Sequence, residues 1–203
     1  MIKNRTHLFL GALAGALVCA QTAQADPTVQ EVRAVLHRDF HPKGQAKMDR
    51  VDQDAVQRLC TLTHDRPPSA LTHELEADQL KTVRYPSGSL MGDWKKGEKI
   101  AKSGHGMTWK DKPGKPNGGS CFNCHQLDPR EPSYGTIGPS LKGIGKTRSH
   151  PNMRRYIYAK IYNAKAYNLC SQMPRLGYSG TLTEGQIKDL VAYLLSPDSP
   201  VNK

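Results

Sequence analysis

Long apolar stretches are scarce in this sequence. The only extended one, Leu8 to Ala20, covers about 13 residues, well short of the ~20 that a helix needs to cross a bilayer. No membrane span is therefore expected. Acidic residues are also few, with 18 Asp and Glu against 29 Lys and Arg. Such a balance favours acidic partners. Nucleic acid would be the usual alternative, but no helix-turn-helix, zinc-finger or aromatic RNA-binding pattern is visible. Internal repeats and low-complexity tracts are absent, and so is a second C-x-x-C pair.

The apolar run is placed meaningfully. Lys3 and Arg5 precede it and Ala23-Gln24-Ala25 follows it, which is the layout of a secretory signal peptide cleaved after Ala25. A lipid anchor would use Cys19, but the bulky Val18 stands where such signals want a small residue. Cleavage leaves 178 residues from Asp26, with 27 basic residues against 18 acids, a formal +9. The expected location is periplasmic, a compartment that also argues against nucleic acid.

Helical spacing dominates what remains. Val29, Val32, Val35 and Leu36 form one apolar set, and Val51, Ala55, Val56 and Leu59 form a second. Pro67-Pro68 interrupts, and a third helix is predicted over Ser69 to Gln79 with Ser69 as N-cap. Residues 26–84 thus read as a helical N-terminal extension without visible chemistry. Beyond Tyr85-Pro86-Ser87-Gly88, Trp94, Gly97, Ile100 and Ala101 share a helix face. Lys110 to Ser120 carries too much Pro and Gly for regular structure. Met153, Tyr156, Ile157, Lys160 and Ile161 mark another helix. The last is punctuated by Thr183 and Gln186 as a capping box, an Ile187, Leu190, Val191 and Leu194 stripe, and Pro197 as terminator. The class is all-α with long loops.

One motif carries chemistry. Cys121-Phe122-Asn123-Cys124-His125 has the C-x-x-C-H spacing of covalent haem attachment: two thiols for thioether bonds, and an adjacent imidazole for the iron. A redox dithiol or half a zinc site would not need the histidine. One haem c is expected. The His125 ring should donate its other N–H to a carbonyl, and the Gly138-Pro139 turn offers the Pro139 carbonyl.

The opposite axial ligand must come from elsewhere. Met173 is the best candidate, because it precedes Pro174 in a loop 48 residues after His125. Met48, Met91, Met107 and Met153 compete, as do the rings of His150, His105 and His64. A thioether would raise the reduction potential relative to a second imidazole. Two cysteines of the exported chain are left over, Cys60 and Cys170. A disulfide between them would close a loop of about 109 intervening residues, worth roughly 4 to 5 kcal/mol by loop-closure entropy. It would also pin the Met173 loop. Two free thiols or an intermolecular bridge are the alternatives.

Residues 85–203 resemble the monohaem SoxX-type subunit of the thiosulfate-oxidising SoxAX cytochromes. The resemblance is carried by the segments 90–99 (Leu90-Met91-Gly92-Asp93-Trp94 onward), Gly106-Met107-Thr108-Trp109, Asn117-Gly118-Gly119, 121–126 and 134–141. Met173-Pro174-Arg175-Leu176-Gly177 and the stretch from Leu190 to Asn202 complete it. The resemblance implies a class I cytochrome c fold, with Cys121, Cys124, His125 and Met173 as haem residues. It also implies a tight heterodimer with a SoxA-type haem subunit, where thiosulfate is joined oxidatively to a cysteine of a carrier protein. This chain would be the non-catalytic electron-transfer part of that L-cysteine S-thiosulfotransferase, relaying electrons to a downstream cytochrome. A free cytochrome shuttle is one alternative. The other is a peroxidase or gas-binding protein whose Met173 loop opens.

Overall fold

The computed structural model describes residues 26–148 and 150–203. The signal-peptide reading, with cleavage after Ala25, lies outside the described residues. Within them the chain is all-α: seven helices joined by long loops, with no strand.

Three helices build the extension: α1 (Val29–Asp39), α2 (Ala55–Leu62) and α3 (Ser69–Lys81). Thr28 and Asp54 cap the first two, each in a reciprocal pair with the residue three positions on, so that orphan N–H groups at the helix start are satisfied. The third differs from expectation. Pro68 occupies the cap position and Ser69 is the first helical residue, because the fixed proline φ already suits entry into a helix. Helix α1 buries no residue and is held chiefly through Asp52, which pairs with Arg33 and His37.

Four helices follow: α4 (Trp94–Lys102), α5 (Ile144–Thr147), α6 (Met153–Tyr162) and α7 (Glu184–Leu195). Among the described residues, helices α4 and α7 make the most extensive contact between elements. Gly97 permits it: a Cβ there would overlap the Asp189 backbone and the Tyr193 Cβ. The start of α4 is tied to the same helix, with Gly92 N donating to Lys188 O at 3.0 Å and Asp93 N to Asp189 Oδ1 at 2.8 Å. Ile187, Leu190, Val191 and Leu194 of α7 are all buried, meeting Ile157, Tyr158 and Ile161 of α6 in one core.

The chain end locks this core. Asn202 is 1% exposed and donates to Leu194 O and Ser196 O, satisfying carbonyls at the C-terminus of α7, while its Oδ1 accepts from Gly145 N. A smaller core of Val56, Cys60 and Leu169 joins the extension to the segment after α6. Asn163 strengthens the join by donating to Gln79 Oε1 at 3.0 Å and Thr82 Oγ1 at 2.9 Å.

Candidate haem-attachment site

Residues 121–125 are hung between two supports. On the N-terminal side, residues 118–120 return onto the end of α4 and the turn after it, with Gly118 N donating to His105 O, Gly119 N to Ile100 O and Ser120 N to Ser103 O. Ser120 then takes a left-handed conformation, φ 48°, which turns the chain into a short 3-10 segment, Cys121–Asn123. On the other side, residues 134–141 run alongside. Gly135 N donates to Phe122 O, Gly138 N to Cys124 O and Leu141 N to Gln126 O, all within 2.8 to 2.9 Å.

That pairing delivers the Pro139 carbonyl to the ring. His125 Nδ1 lies 2.7 Å from Pro139 O. A carbonyl can only accept, so Nδ1 carries the proton and Nε2 is left with a free lone pair, the form in which imidazole ligates a metal. Gly138 packs flat against the ring. A Cβ at this position would overlap the imidazole itself. Gly138→Ala is therefore expected to displace the ring or the turn, at about 1 to 3 kcal/mol of overpacking. The checks are a lowered melting temperature together with a shifted reduction potential; a variant that loses stability with an unchanged potential would mean that the turn does not position the ring.

Both thiols are half-buried and joined to no other cysteine. Burial pushes the Cys121 thiol up to about 11. An attacking thiol of a redox dithiol needs the opposite shift. The segment that follows is fixed by charge: Glu131 accepts from Leu127 N and Asp128 N and faces Lys102, while Asp128 pairs with Arg130. Hydrogen bonds from Arg130 hold the Asp128 carboxyl below its ordinary range.

Two thiols at i and i+3, an oriented imidazole with Nε2 free, and the apolar Ile137 (83% exposed) on the adjoining segment suit a covalently attached haem. Met173 is half-buried and packs against the same core as Cys121. Met91 and Met153 also pack there, whereas Met48 lies in a 3-10 turn of the extension. Met107 adopts φ 65° in a loop gripped by the extension: Arg50 donates to Met107 O, Gln45 to Thr108 O and Asp111 O, and Lys43 lies 3.7 Å over the Trp109 ring. His64, His105 and His150 are exposed.

The Met173 loop is clamped on both sides. Cys60 and Cys170 form a disulfide, Cα to Cα 5.5 Å, three residues before Met173. Leu169 N donates to Glu76 Oε1 at 2.9 Å, and Arg175 pairs with Asp54 at 2.5 Å. Every one of these clamps comes from the extension, whose sequence shows no chemistry. Asp54, Glu76 and Arg175 thus restrain this loop, contacts that sequence reasoning misses. The signal for them is weak: an Asp at a helix cap needs no distant partner, and an Arg following Met-Pro is equally at home in solvent.

Residues 95–197 match the family described as Cytochrome c. Over its full length the chain is also 36% identical to a protein of Aquifex aeolicus (strain VF5) described as an uncharacterized lipoprotein, of which it covers the whole.

Proposed function

The chain belongs to the cytochrome c family, which carries covalently bound haem c for electron transfer, and on that premise we propose that it is the monohaem electron-relay subunit of a periplasmic, SoxAX-like thiosulfate-oxidising complex. Haem supplies an iron that can take up and release one electron. The chain's own residues do the rest. Cys121 and Cys124 tether the group, Pro139 fixes the His125 tautomer, and Met173 provides a thioether on the loop held by α2 and α3.

The observation that carries the reading is that clamp. A disulfide, an ion pair and a backbone hydrogen bond all restrain the residues around Met173. A peroxidase or gas sensor needs its sixth position to open, and restraint works against opening. Relay needs the reverse, because unchanged ligation in both oxidation states keeps reorganisation small. The thiosulfate assignment rests on the motifs from Leu90 to Lys99 and from Leu190 to Asn202, and the basic excess suits acidic partners.

In this reading the chain alone has no thiosulfate-coupling activity, and catalysis resides on a SoxA-type haem partner acting on a carrier-protein cysteine. Purification of the native protein tests this. A second haem-bearing chain should accompany it stoichiometrically through high salt. Recovery of the chain alone would favour a free shuttle, and full activity of the isolated chain would overturn the division of labour. Export is proposed with cleavage after Ala25; the Aquifex relative's description makes lipidation at Cys19 the competing outcome.

A further inference from the structure

Beside the disulfide, between α2 and the Met173 loop, lies a cavity of about 190 Å³. At ~30 Å³ per water this is room for several waters. Two cations line it, Lys165 and Arg175. Lys165 is only 5% exposed, and its Nζ donates to a single carbonyl, Leu169 O, at 2.8 Å. An ammonium has three donors. Among the described residues it forms no ion pair, so a buried positive charge stands without a counter-charge in contact, an arrangement that costs free energy unless something completes it.

Arg175 is better compensated. One of its nitrogens meets Asp54, and the guanidinium rests 4.5 Å over the Tyr178 ring. Its other N–H groups remain for the cavity. Thr61 and Ser171 add hydroxyls, and Gln53, Gln57 and Gln172 add amides. The single carboxylate of the lining, Asp65, belongs to an exposed turn.

We propose that this cavity is a binding site for a small inorganic oxyanion, held by Lys165 Nζ and Arg175 and completed by the surrounding hydroxyl and amide donors. Charge-assisted hydrogen bonds from several directions suit a multi-oxygen anion better than a monatomic one. An anion here bridges α2 to the loop that bears Met173. The site does not depend on the thiosulfate reading, and its failure would leave the partner experiment untouched.

Sulfate titrated calorimetrically into the full-length, haem-loaded protein, at ionic strength held constant with sodium chloride, provides the test. The wild type should give saturable, single-site binding. Lys165→Met should weaken it by about tenfold or more, the scale of a lost charged hydrogen bond. Asp65→Asn should tighten it several-fold by removing the opposing charge, and asparagine tolerates the φ of 59° at this position. Absence of saturable binding to the wild type overturns the site, as does a folded Lys165→Met variant that binds like wild type. Should Lys165→Met fail to fold, Asp65→Asn decides: tighter binding upholds the site and unchanged affinity overturns it.

Discussion

Replacing both Cys121 and Cys124 with alanine should remove covalent haem from the chain altogether. Only these two residues place thiols within the attachment segment, since Cys60 and Cys170 are bonded to each other. Intact mass under denaturing conditions reads the result. The wild type should have the mass of the polypeptide from Asp26 plus one haem, and the double variant should have that of the polypeptide alone. Each single variant should retain one thioether bond at reduced yield. The loss reaches beyond the cofactor. The 121–126 segment is held mainly by backbone hydrogen bonds from 134–141, and Cys121 and Phe122 are only partly buried, so the variant should also unfold at lower temperature. A double variant still carrying covalent haem would refute the attachment site, and a lipidated Cys19 in the wild type would refute the proposed cleavage.

The second large effect is on stability. Cys60 and Cys170 are 110 residues apart in sequence, and closing so long a loop removes roughly 4 to 5 kcal/mol of unfolded-state entropy. For a chain of this size, 1 kcal/mol moves the melting temperature by about 2 to 4 °C. The Cys60→Ser, Cys170→Ser double variant should therefore melt on the order of 10 to 20 °C lower. Cys60 is only 4% exposed, within the small Val56 and Leu169 core, while Cys170 is partly buried, so the buried hydroxyl at position 60 adds to the cost. Freed from its main restraint, the Met173 loop should also admit carbon monoxide to the reduced iron faster than in the wild type. A melting temperature within a degree or two of wild type would show that the smaller core and the Arg175–Asp54 pair suffice without the bridge.

Local structure is legible where one interaction decides it. The α7 capping box and stripe, the break at Pro197 and the all-α class all follow from patterns within a dozen residues. The C-x-x-C-H spacing is equally local, since thiols and imidazole lie within one short turn. The N-cap expected at Ser69 falls one position late because Pro68, not a side-chain acceptor, starts that helix. Long-range placement is less legible. Nothing in the sequence around Asp54 or Glu76 reveals that they grip residues 175 and 169, more than ninety positions away. Asn202 is visible in the sequence only as part of a motif; its physical reason, capping the carbonyls at the end of α7, needs the fold.

The central claim is a relay haem held between His125 and Met173. It is tested most directly by the optical spectrum of the oxidised wild-type protein at neutral pH, recorded beside Met173→Ala. The account predicts a low-spin wild-type spectrum with the weak sulfur-to-iron charge-transfer band at its red end, and loss of that band with conversion to a high-spin or misligated iron in the variant. A band that persists in Met173→Ala, or is absent from the wild type, would contradict it.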